Sequence, residues 1–177
     1  MRFVCAELGH VVNLLPPQNI TGGVAQVNPA FRMTGYKHAS ILVSLGAEAV
    51  QISGTMQVFL VPSVAGVGIP IPFNYYFQAL GGAGNDVLSS IQNAPAAGIT
   101  LAVGDAPANG LIVIEIDANE LESGSGALAG SVLAGSINGD TYISLSIPSA
   151  AAANYAAVTV VLSGARFAYA GSPSVTV

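Results

Sequence analysis

The densest group of chemically capable side chains in this sequence lies between residues 115 and 122. Glu115, Asp117, Asn119, Glu120 and Glu122 close or follow the apolar run Leu111 to Asp117, LIVIEID. Strand alternation puts Glu115 and Asp117 on one face of that run and Ile112, Ile114 and Ile116 on the other. Two carboxylates so placed could serve as the acid and base of a glycosidase, or lend oxygens to a calcium site. The simpler reading makes them the solvated face of a strand whose other face is core.

Other chemistries lack their parts. A nucleophilic triad needs Ser or Cys beside a His that a carboxylate orients. The chain has only His10, His38 and Cys5, and no Gly-x-Ser-x-Gly turn. Two distant histidines and one cysteine do not make a four-ligand zinc site. Gly124 to Ala129 (GSGALA) approximates a dinucleotide-binding loop, but no strand leads directly into it as that loop requires. We therefore assign no catalytic, cofactor-binding or metal residue, expect no cofactor, and expect no enzymatic activity.

Composition narrows the class further. Of 177 residues, 52% are hydrophobic and 7% charged, and the formal net charge is -5. The cations are Arg2, Arg32, Lys37 and Arg166, too few for a nucleic-acid surface, which needs clustered cations to replace phosphate counterions. Residues 49–85 and 141–165 carry no charge, yet prolines and glycines interrupt the first, and Pro148, Asn154 and several Ser and Thr interrupt the second. Neither reads as a membrane-spanning helix, and no membrane partner is expected. Met1 to His10 lacks the unbroken apolar core of a signal peptide. Synthesis in a cytoplasm follows, and the single cysteine leaves the fold to stand by packing alone.

The elements that must position these residues divide at about residue 35. Leu8, Val11, Val12 and Leu15 follow helical spacing and predict one short amphipathic helix, stopped by Pro16-Pro17. Residues 18–34 show no sustained period, so 1–35 reads as an extended N-terminal arm that needs something to lie against. From Tyr36 the period becomes two. Strands are predicted over residues 36–45, 52–61, 73–79, 99–103, 111–117, 141–147, 156–162 and 165–170. A Gly/Pro loop is predicted over 64–72, one helical turn over 87–91, a turn at 81–86 and another at 105–110, and a hairpin at Asn138-Gly139-Asp140. Seven or eight short strands make residues 36–177 an all-β, antiparallel β-sandwich or jelly-roll-like domain.

Such strands usually carry charges that stop their edges pairing with other chains. ISGTMQVFLV (52–61) and VTVVLSG (158–164) carry none, and Lys37 is the only lysine. Burial in an assembly would answer this, and so, less completely, would a Ser/Thr/Asn-rich surface such as the Ser face of TYISLSI (141–147). LLPP (14–17), YKHASILVSLG (36–46), NYYFQ (74–78) and LSGARFAYA (162–170) together resemble small structural proteins that decorate the heads of tailed bacteriophages. The resemblance is one of pattern, spans most of the chain, and implies a virion protein. It further implies a homo-oligomer, often a trimer, bound to the major capsid protein or another virion protein. Two other classes compete. One is a glycan-binding or tail-associated module, with Tyr75, Tyr76, Tyr142 and Tyr155 stacking on sugars beside Glu115 and Asp117. The other is a pilus or surface-layer subunit.

Overall fold

A computed structural model describes residues 9–21, 26–27, 29–33, 35–47, 52–61, 68–78, 87–105, 109–118, 121, 142–150 and 153–165. Alternating apolar residues produce strands nearly throughout: β1 (Gly9–Asn19), β2 (Gln26–Val27), β3 (Phe31–Arg32), β4 (Tyr36–Leu45), β5 (Gly54–Val61) and β6 (Ile69–Ile71). They continue with β7 (Phe73–Gln78), β8 (Gln92–Ala94), β9 (Ile99–Leu101), β10 (Leu111–Asp117), β11 (Tyr142–Ile147) and β12 (Tyr155–Ala165).

Two antiparallel sheets pack face to face, so the chain is an all-β sandwich. The first sheet runs β1-β12-β4-β10-β7-β8. The second runs β2-β11-β5-β6, with β3 also on β11 and β9 on β5. Between them lies one core. Ile41 and Val43 of β4, Ile112 and Ile114 of β10, and Val158 and Val160 of β12 meet Met56, Val58, Ile143 and Leu145 of the second sheet's strands, all fully buried. Burial of this kind, at roughly 25 cal/mol per Å² of apolar surface, is what opposes the entropy of ordering the chain. The turn into β9 depends on Gly98: its φ is +87°, and a Cβ there would stand 2.2 Å from the Met56 carbonyl oxygen.

The predicted strands over 36–45, 52–61, 73–79, 99–103, 111–117, 141–147 and 156–162 correspond to β4, β5, β7, β9, β10, β11 and β12. Three local expectations are corrected. The short helix predicted around Val11, Val12 and Leu15 is the strand β1, antiparallel to β12. Its register shifts between Asn13 and Leu15 and again between Leu15 and Gln18. Those bulges turn both Leu14 and Leu15 into the core, whereas Val11, which helical spacing placed on the apolar stripe, is 50% exposed. Among the described residues before Tyr36, β1 extends the first sheet, and β2 and β3 pair with β11.

The helical turn predicted over 87–91 is non-helical chain. It is tied to β7 where Ser89 N–H donates to the Phe77 carbonyl, while Phe77 N–H donates to Ser89 Oγ. The predicted loop 64–72 contains β6, paired with β5. Cys5, the turn at 81–86, residues 119–120 and 122, the glycine-rich GSGALA segment, the hairpin at 138–140 and residues 166–170 lie outside the described residues.

Candidate functional site

On the face of the first sheet that points away from the core, the strand register brings three polar side chains together. Glu115 on β10 lies opposite Ser40 on β4, and Asp117 lies opposite His38. His38 Nε2 stands 2.6 Å from Glu115 Oε2, and Ser40 Oγ donates to the same oxygen at 2.7 Å. Because a carboxylate only accepts, the contact selects the tautomer of His38 that carries its proton on Nε2. Side-chain exposures of 35% for His38 and 26% for Glu115 leave the pair wet enough for water to weaken its Coulomb energy.

This order of groups differs from that of a triad. There the imidazole stands between hydroxyl and carboxylate and removes the hydroxyl proton; here the carboxylate is the hub and takes both bonds. A carboxylate acting directly on Ser40 would still need donors for an oxyanion. β4 lies between β12 and β10, so the backbone N–H groups around Ser40 are committed to the two ladders. Chemically, the two hydrogen bonds of the cluster hold β4 to β10.

The remaining sequence candidates are dispersed. Asp117 shares the face with Glu115, as strand alternation predicts. Asn119, Glu120 and Glu122 are outside the described residues. Among the described residues no three His, Cys, Asp or Glu side chains gather to hold a metal ion, and no helix is long and apolar enough to cross a membrane, which says nothing of a β-barrel. The four tyrosines do not make one platform. Tyr75 is buried on the core side of β7, edge-on to Phe77, with its hydroxyl donating to Gln92 Oε1 at 2.7 Å. Burial pushes its phenol pKa up. Tyr76 lies on the outer face opposite Val113. Tyr142 belongs to the second sheet and pairs with Val61. Tyr155 opens β12 at the surface.

Sequence reasoning missed two features. His38 and Glu115 are 77 residues apart; alternation places each on an outward face, but only the register makes them neighbours. Asn154, just before β12, is buried, and its side-chain amide has no hydrogen-bond partner among the described residues. Gly46 makes room for it, since a Cβ there would stand 2.6 Å from Asn154 Oδ1. No protein-family model matches the chain, and no curated protein does either.

Proposed function

We propose that this chain is a non-enzymatic structural protein that works by packing into a larger assembly, and that the assembly is a tailed-phage virion, with the chain as a capsid decoration protein. One observation carries the packing part. Large apolar side chains stand in solvent at the margins of the sandwich, with Val87 74% and Ile91 55% exposed and Leu88 beside them. Single exposed apolar residues are ordinary; three within five residues at a sheet edge mark a surface made to be covered. A chain with 7% charged residues has few ion pairs to offer a partner, so apolar burial and backbone hydrogen bonds are the interactions left to it.

The virion part rests on the pattern resemblance together with the sandwich fold. The hub arrangement of the Glu115 cluster favours this reading over an enzyme, and the scatter of the four tyrosines weighs against a stacked sugar platform. Full-length protein mixed with undecorated capsids should co-sediment with them at saturable stoichiometry and remain attached in ~1 M salt, where the screening length is about 3 Å. Failure to bind any capsid lattice, or release by that salt, contradicts the proposal. The position of the gene, beside capsid and portal genes or beside secretion genes, separates the virion from a pilus or surface layer.

A further inference from the structure

We infer that the outer edge of β1 over Gly9–Asn13 pairs with the same edge of a second copy of this chain, joining two first sheets across a twofold axis at Val11. This rests on the assembly reading and names one contact within it. β1 is the end strand of its sheet, with β12 on one side and no strand on the other among the described residues. An edge strand offers backbone N–H and C=O groups in ladder spacing, and the chemistry that satisfies them is another β-strand.

The other sheet margins are shorter or obstructed: β2 and β3 are two residues each and β9 is three. β6 is only Ile69–Ile71 and carries Pro70, and β8 is three residues long and is followed by Pro95. On β1 itself, Pro16 and Pro17 remove two donors, and the adjoining bulges break the ladder. What remains open is GHVVN, five residues without a charge, a proline or a lysine to discourage pairing. At its centre Val11 is 50% exposed.

The stretch is self-complementary. An antiparallel pairing centred on Val11 sets Gly9 against Asn13 of the second copy, His10 against Val12, and Val11 against Val11. The exposed valines then meet on the outer face, and no like charges are opposed. An arrangement that repeats under a half-turn closes after two copies, whereas joining β1 to a different edge would continue into a filament. Five residues make a small contact, so pairing should depend on concentration and be reinforced wherever a lattice holds the copies together.

The test uses full-length protein in sedimentation equilibrium from micromolar to millimolar concentration. Wild type should approach twice its monomer mass. Val11→Lys should stay at monomer mass with unchanged circular dichroism, because two ammonium groups would face each other across the axis, and Val11→Thr should behave as wild type. In a Cys5→Ser background, Val11→Cys should oxidise to a disulfide-linked dimer, since directly opposed strand positions lie within the 4.4–6.8 Å Cα separation that such a bond spans. That arm decides the matter if Val11→Lys misfolds. A wild type that stays monomeric to millimolar concentration, or a dimer indifferent to Val11→Lys with no Val11→Cys cross-link, overturns the inference. Capsid binding that survives either result leaves the assembly reading in place, while loss of both removes the two together.

Discussion

The two faces of β4 and β10 are built from the same backbone on opposite principles. Inward, Ile41, Val43, Ile112 and Ile114 are completely buried, and what holds them is volume. Outward, Ser40, His38 and Glu115 are joined by two directed hydrogen bonds in partial contact with water. The inward face tolerates almost no change of size or charge, because a close-packed interior has nowhere to move. The outward cluster is partly solvated, so a change there should cost less than one in the core.

The sharpest way to break this contrast is a charge on the inward side. Val58 and Val160 are both fully buried, so Val58→Lys and Val160→Lys should each abolish folding, seen as loss of the cooperative denaturant transition. A folded, soluble Val160→Lys would mean that the core is not where the sandwich puts it. Next in size is Ile114→Ala, which should cost about 2–5 kcal/mol of unfolding free energy through lost burial and a residual cavity.

Tyr75→Phe should cost about 1 kcal/mol near neutral pH by removing the bond to Gln92. Its larger signature is in alkali. Burial raises the folded-state phenol pKa above the unfolded value of about 10, so this group's contribution is complete below that value. It fades as pH rises through the folded-state value, as the unfolded chain sheds its proton first. Urea titrations should therefore show a shallower alkaline decline in Tyr75→Phe than in wild type. Smallest of all should be Glu115→Gln, about 0.5–1 kcal/mol by the same titration, since the amide keeps one acceptor and the site is partly solvated. A loss of 3 kcal/mol there would place the cluster among the structural determinants of the fold.

Where alternation is regular, the sequence shows the fold plainly. YKHASILVSL and LIVIEID match β4 and β10, with the buried and outward residues in the expected places. It becomes unreadable where the ladder is irregular or short. β1 hides behind bulges that put Leu14 and Leu15 on the same side. β6 hides behind Pro70, which a central strand would exclude but an edge strand admits, and β8, Gln92–Ala94, has too little apolar content to register as a strand. The candidate site was half legible: Glu115 and Asp117 stood out by type and spacing. Their meeting with His38 depends on β4 and β10 being neighbours in register, information that no local window contains.

The pairing of β1 with β12 also sets the order in which this molecule can come into being. Gly9 lies opposite Ser163, a separation of about 150 residues, among the costliest kinds of contact for a folding chain to close. As the chain is synthesised, Val12, Leu14 and Leu15 emerge early and have no sheet to join until residues 155–165 have been made. For that interval an uncharged apolar strand has both of its edges bare, with Pro16-Pro17 as the only internal obstacle to pairing with a neighbouring nascent chain. Those two prolines thus act in time as well as in space: they guard a strand whose native partner is made about 150 residues later.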